Sequence, residues 1–303
     1  MENYDLIIIG AGPAGLTAAV YAARYKINFL IIGKMSGGLM GEAYEICNFP
    51  SYNRVNGVEL MKKMINHVND LGVEIKSEEV LDIKKKGKEF EIKTNKEIYP
   101  AKKIIIATGS ERRKLGINRE KELTGKGISY CATCDAPFYK DKVVGVAGGS
   151  DAALTAALLL SKFTKKVYII YRKNKFFRGD NIWIEEVKRN KKIESLFNST
   201  ITRLIGKDKL EEIEINGKKK LKLNGLFVEI GGMPNIELAK NIGVKIGKNQ
   251  IITDKQQKTN IKGFFAAGDV TDNPLKQIVT ACGEGATAAN SIYRELMKER
   301  QDF

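Results

Sequence analysis

"YDLIIIGAGPAGLTAAVYAARY", residues 4–25, decides the fold. An apolar, β-branched run leads into a glycine turn, and the turn opens an alanine-rich stretch of helical period. The glycines fall as Gly10-x-Gly12-x-x-Gly15. Gly10 makes the tight turn after the strand, and Gly12 lets the backbone approach a pyrophosphate. Gly15 lets the helix pack close to the strand, while the helix N-terminus offers N–H groups and a positive dipole end. In this strand–turn–helix setting the pattern reads as a dinucleotide site. A second strand follows in "NFLII" (28–32) and runs into Gly33-Lys34. The acidic residue that often closes such a unit is missing, so ribose recognition differs in detail.

The same grammar returns in "KVVGVAGGSDAALTAALLLSKF", residues 142–163, followed by the strand "KVYIIYR" at 166–172. Its glycine motif reads as Ala147-x-Gly149-x-x-Ala152. Alanine tolerates the first position only at negative φ. Asp151 suits the helix dipole but repels a pyrophosphate placed there. Two βαβ openings predict an α/β chain with two Rossmann-like nucleotide-binding domains. Two later segments belong with the first opening. "KKIIIATGS" (102–110) ends in Thr108-Gly109, and "GFFAAGDV" (263–270) ends in Gly268-Asp269. An aspartate after a glycine at a strand's C-terminal end is placed to accept a sugar hydroxyl near the switch point. A helix is expected from near Gln277. The first domain is therefore discontinuous, 1–111 and 236–303, with 112–235 inserted and "SERRKLG" and "GGMPNIE" as the crossings.

The insert carries "YCATCDA", residues 130–136. A CxxC pair can hold half a zinc site, staple a loop or shuttle two electrons. Zinc needs two more ligands, and the chain offers only Cys47, Cys282 and one histidine, with no second close pair. No metal site is read from that set. His67 falls on the polar side of a helix whose apolar residues are Leu60, Met64, Ile65, Val68 and Leu71. A surface histidine there removes Ser-His and Cys-His catalysis from consideration. The N-terminus enters a strand directly, without a basic or apolar leader, and no apolar run reaches the roughly 18 residues of a membrane helix. We expect a cytoplasmic protein without membrane association, in which a purely structural disulfide is out of place. The formal charge of +15 comes from lysines spread along the chain, with no basic arm, so nucleic-acid binding is not read. A positive surface still steers acidic protein partners.

The segments "GAGPAG", "NFP" (48–50), "ATG" (107–109), "GKGISYCATCDAPFY", "GGMPN", "FFAAGDV" and "KQI" resemble, in this order, the low-molecular-weight thioredoxin reductases. The resemblance covers nearly the whole chain, and "YCATCD" is its most specific element. It implies FAD in the discontinuous domain, NADPH in the insert, a redox-active Cys131–Cys134 disulfide and a homodimer. It also implies a thioredoxin- or glutaredoxin-like disulfide as substrate. By the family pattern Cys134 serves the flavin, Cys131 attacks the partner and Asp135 is the general acid. The FAD set carried over is Gly10, Gly12, Pro13, Ala14 and Gly15 at the pyrophosphate, Gly38 and Asn48 near the flavin, and Val80 at adenine. Thr108, Gly109, Gly268, Asp269, Lys276, Gln277 and Ile278 complete it. The family has a glutamine in place of Leu39 and an arginine in place of Lys276. For NADPH the set is Gly149 and Ser150 at the turn, with Arg172, Lys173 and Arg178 at the 2′-phosphate, where Arg forks suit the group.

Residue chemistry agrees with a dithiol that exchanges quickly beside a two-electron flavin, with Asp135 able to manage a proton. It leaves open whether the donor is NADPH, NADH or reduced ferredoxin. It also leaves open a flavin dithiol oxidase and a redox sensor without turnover.

Overall fold

The computed structural model describes residues 3–301. The chain divides into two compact units. One holds residues up to Gly41, Ile46–Glu111 and the segment from Pro234 onward; the other holds Glu42–Glu45 and Arg112–Met233.

The first unit is built on a seven-stranded sheet. The opening strand Tyr4–Ile9 lies parallel to Phe29–Ile32 on one side and to Ile98–Ile106 on the other. The nine-residue strand Ile98–Ile106 has two neighbours along its far edge. Its first half pairs antiparallel with Glu89–Thr94, and its second half pairs parallel with Phe264–Ala266. Buried on both faces, the parallel strands read as unbroken apolar runs rather than alternating ones, which is why "LIII" and "KIIIA" look as they do. Leu6, Ile7, Ile8, Ile104, Ile105 and Ile106 are all fully buried. Each such side chain stabilises the fold by roughly 1.5–3 kcal/mol.

The helix Pro13–Arg24 starts with proline in its first turn, where the missing N–H costs nothing. Its small face packs on the closing helix, Ile278–Gln301. A Cβ added to Gly285 would lie 2.1 Å from the carbonyl oxygen of Ala14, so only glycine admits this approach. The helix Gly57–Asp70 is capped by the Asn56 side chain, which accepts from the Val58 N–H at 2.9 Å. His67 is exposed on it.

The second unit has a five-stranded parallel sheet. In order its strands are Ile193–Leu196, Lys166–Ile170, Val143–Ala147, Gly225–Val228 and Ile128–Ser129. A three-stranded antiparallel sheet, residues 201–222, accompanies it. The helix Asp151–Phe163 follows the central strand.

The structure corrects the register of the second glycine motif. Ala147 is the last residue of its strand and has no positive φ. The turn falls on Gly148, at φ 144°, and Ser150 is the helix N-cap. The working pattern is therefore Gly148-x-Ser150-x-x-Ala153, one residue later than the composition of the stretch implies.

Candidate active site

Two groups of side chains carry the chemistry, one in each unit. In the first unit, Gly10 turns the chain at φ 112°, and a Cβ there would strike the Ala107 carbonyl oxygen at 2.2 Å. Gly15 is as tightly held, because its Cβ would fall 1.8 Å from the Gly10 oxygen. Gly12 is different. A Cβ on it would meet nothing within 4 Å, and no side chain caps the helix it begins. Bare backbone at a helix N-terminus, with Pro13 and Ala14 continuing the first turn, suits a pyrophosphate.

Gly38, Gly268 and Thr108 of the other expected residues lie against this turn. Gly38 lies against it, its added Cβ reaching 3.4 Å from the Gly12 Cα, and the Gly37 N–H donates to the Ala11 oxygen at 2.6 Å. Gly268 approaches Ala14 from the other side. Thr108 Oγ1 donates to the Asn235 oxygen at 2.8 Å, and the Asn235 amide returns a bond to Thr108 at 3.1 Å, which fixes Thr108-Gly109 at the strand end. Asn48 Nδ2 donates to Gln277 Oε1 at 3.0 Å, and Gln277 leads into Ile278 at the start of the closing helix. Val80 opens its own strand, beside Glu79, whose carboxylate pairs with Lys34 at 2.9 Å.

Asp269 is half-buried. Burial pushes its carboxyl above the usual range, while Lys276 and a hydrogen bond with Ser110 pull it down. Burial in turn lowers the Lys276 ammonium against the attraction of Asp269, Glu284 and Asp272. Sequence reasoning missed Glu284. It is buried in the closing helix, and its carboxylate accepts from the Gly268 N–H at 2.6 Å, the Thr271 hydroxyl at 2.9 Å and the Asn273 amide. The only hint in the chain is an acid between two glycines in an alanine-rich run, "ACGEGATAA".

In the second unit Cys131 and Cys134 form a disulfide, with their Cα atoms 5.3 Å apart. Cys131 precedes the single turn Ala132–Asp135, and its Sγ accepts the Cys134 N–H at 3.2 Å. Its own N–H donates to Ser129 Oγ at 3.0 Å. Cys134 is exposed and Cys131 half-buried. Asp135 donates its N–H to the Cys131 oxygen at 3.2 Å, and its carboxylate raises the neighbouring Tyr139 hydroxyl, which burial raises more. Cys47 and Cys282 take no part in a disulfide. Ser150 pairs with Arg178 in an isolated parallel bridge, and Arg172, Lys173 and Arg178 are exposed.

A turn with bare backbone lies in one unit and a closed CxxC disulfide in the other. Residues 4–285 match the family "Pyridine nucleotide-disulphide oxidoreductase". The chain belongs to this family. It is 40% identical to the thioredoxin reductase of Peptoclostridium acidaminophilum, covering 97% of this chain and 98% of that one. It is 37% identical to the thioredoxin reductase of Bacillus subtilis, over 98% and 96%. The crystal structure of Lactococcus lactis thioredoxin reductase matches with a TM-score of 0.94 at 36% identity, over 97% and 99%. This oxidoreductase is thus of the thioredoxin reductase kind, and its Cys131–Cys134 disulfide suits a redox-active dithiol. No helix among the described residues is long and apolar enough to cross a membrane.

Proposed function

We propose that the enzyme reduces the disulfide of a thioredoxin- or glutaredoxin-like protein, using the Cys131/Cys134 pair and FAD. The Cys131–Cys134 disulfide carries the reading, because it is a ready two-electron store at the start of a short helical turn. FAD falls to the discontinuous domain, 1–111 and 236–303, and the residues present fit it. Gly12 leaves room for phosphate, and no side chain caps the helix behind it. Asp269 is poised at a strand end for a hydroxyl. Gly38 and Thr108 lie beside the same turn, and Asn48, Val80, Gly109, Lys276, Gln277 and Ile278 complete the set proposed for FAD. When bound and reduced by the donor, the flavin would supply the two electrons that open the disulfide.

The protein groups do the rest. Once reduced, Cys131 is the thiolate favoured by the Cys134 N–H at its sulfur. It attacks one sulfur of the partner disulfide, forming a mixed disulfide and releasing the partner's other sulfur as a thiolate. Asp135, next to Cys134, supplies the proton that this leaving thiolate takes up. The Cys134 thiolate then attacks Cys131 sulfur. Asp135, now a carboxylate, takes the proton that Cys134 sheds and passes it to the partner's second sulfur as the mixed disulfide breaks, so the internal disulfide closes and the partner leaves with two thiols. Family resemblance makes the working form a homodimer in the cytoplasm.

NADPH, NADH and reduced ferredoxin all fit this reading as donor; NADPH would sit in the inserted domain, 112–235, with Gly149 and Ser150 at the turn and Arg172, Lys173 and Arg178 at the 2′-phosphate. The three basic side chains are exposed, as phosphate binding requires. The turn itself does not suit a pyrophosphate, since Ser150 and Asp151 stand where the first unit has Gly12 and Pro13. No step is taken through it.

The test bypasses the donor. Enzyme reduced with dithionite and desalted anaerobically should convert oxidised thioredoxin to its dithiol, and Cys131→Ser enzyme should not. Equal thiol release by the two would reject the reading.

A further inference from the structure

The two glycine turns of the chain can be compared residue by residue. The Gly10 N–H donates to the Ile32 oxygen at 2.7 Å, and the Gly148 N–H donates to the Ile170 oxygen at 3.1 Å. A Cβ on Gly10 would strike the Ala107 oxygen at 2.2 Å; one on Gly148 would strike the Glu229 oxygen at the same 2.2 Å. Gly148 therefore stands for Gly10, Gly149 for Ala11, Ser150 for Gly12, Asp151 for Pro13 and Tyr171 for Gly33.

At two of these positions, Ser150 for Gly12 and Tyr171 for Gly33, the second turn carries a side chain where the first has none, and at Asp151 it carries a carboxylate in place of Pro13. In the first unit Ala11 packs on Gly33, and Gly12 faces empty space. In the second the sizes are reversed. The Tyr171 ring lies on Gly149, so close that a Cβ there would come within 2.6 Å of the ring. Ser150 puts a side chain where Gly12 has none. The Asp151 carboxylate sits in the first turn of the helix, held by the Asp180 N–H at 2.6 Å. The segment between Tyr171 and Asp180 is tied down along its length. Tyr171 stacks on Phe176 at 5.8 Å between centroids, Phe176 meets Phe197 edge-on at 4.9 Å, and Arg178 bridges Ser150. Gly179 packs so tightly on Leu154 that an added Cβ would come 2.5 Å from it.

A pyrophosphate at a glycine turn needs bare backbone, free N–H groups at the helix start and no anion beside them. The second turn offers a side chain, a carboxylate and a ring. We infer that the segment Tyr171–Asp180 is a strap that holds this turn shut against a dinucleotide, with Tyr171 as the residue that determines specificity. The wild-type enzyme accordingly binds NADPH weakly, although its basic residues for the 2′-phosphate are in place. This rests on the proposed division of cofactors between the units, and it adds that the chain's own residues oppose the nucleotide half.

The test is calorimetric titration of the full-length flavoprotein with NADP+, which binds without turnover. Wild type and Tyr171→Phe, which keeps the ring, should both fail to saturate at about 1 mM, whereas Tyr171→Ala should bind at least about tenfold more tightly. Ser150→Gly combined with Asp151→Asn should gain by a similar factor while leaving the ring in place. Saturation of the wild type at low micromolar NADP+ would overturn the inference, and so would a folded Tyr171→Ala protein with unchanged affinity. If Tyr171→Ala does not fold, Tyr171→Leu, which also removes the ring, takes its place under the same criteria. Thioredoxin reduction by dithionite-reduced enzyme is unaffected by either result, so failure here is separable from failure of the proposed activity.

Discussion

The carboxylate of Glu284 and the backbone N–H of Gly268 are 2.6 Å apart, joining the closing helix to the strand end that carries Asp269. The same carboxylate takes the Thr271 hydroxyl and the Asn273 amide, and the Thr271 hydroxyl has the Gly268 oxygen as a second acceptor at 2.9 Å. Charge-assisted bonds of this kind contribute about 1.5–3 kcal/mol each, and orphaned buried donors cost about 1–3 kcal/mol. Glu284→Ala should destabilise the enzyme by about 3 kcal/mol or more and lower its flavin content, with Glu284→Gln intermediate. Urea unfolding and the ratio of flavin to protein absorbance measure both. A variant that keeps full flavin while losing stability would confine Glu284 to a folding role.

Gly12 and Gly15 separate binding from folding. Gly12→Ala adds a methyl group to open space, so its effect on the apoprotein should stay within about 1 kcal/mol. Its FAD affinity should nevertheless fall, because the methyl occupies the approach to the turn. Gly15→Ala places its Cβ against the Gly10 oxygen and should impair both. Flavin titration of refolded apoprotein, beside denaturant curves, makes the comparison. Unaltered FAD affinity in Gly12→Ala would remove this turn from the site.

The two cysteines should differ in reactivity against their exposure. Cys134 is exposed and Cys131 half-buried, yet the Cys134 N–H donated to Cys131 sulfur favours the thiolate on Cys131. In the reduced enzyme, brief treatment with iodoacetamide at neutral pH should therefore alkylate Cys131 first, as peptide mass spectrometry would show. Faster labelling of Cys134 would hand it the attacking role.

Arg112 donates to both Glu42 and Glu229, and Glu229 is only 4% exposed. Burial pushes the Glu229 carboxyl up to about 7, with Glu42 adding to the rise and Arg112 opposing it. A carboxyl raised in the folded state favours its neutral form. Its contribution is complete below the unfolded value of 4.5 and is lost as pH climbs through about 7, on the order of 3 kcal/mol in all. Glu229→Gln should flatten the fall in stability between pH 5 and 8. Arg112→Met removes the opposing charge, so it should steepen that fall and cost more at pH 8 than at pH 5. Chemical unfolding at the two pH values decides, and parallel curves for all three proteins would refute the assignment.

Much of this molecule is written locally. Apolar runs ending in glycine turns, followed by alanine-rich helices, specify two nucleotide-type openings, because the period of a strand and the demand for bare backbone are short-range properties. The spacing of Cys131 and Cys134 allows a disulfide without knowledge of anything else in the chain, and the polar neighbours of His67 place it at the surface. Other features depend on partners far away. The second turn reads from composition as starting at Ala147, but the strand continues through that residue, which pairs with Ile170 and Val228 on neighbouring strands; the chain turns only at Gly148, at φ 144°. Glu284 looks like an ordinary helix acid until Gly285 lets its helix approach Ala14 and sets the carboxylate under Gly268. Tyr171 looks like a strand-end aromatic until its ring is seen on Gly149. Sequence determined which segments become strand, turn and helix, since those follow from bonds and contacts within a few residues. Tertiary structure alone decided which backbone groups and rings meet, since hydrogen bonds and van der Waals contacts act over only a few ångströms and the packing brings together residues remote in the chain.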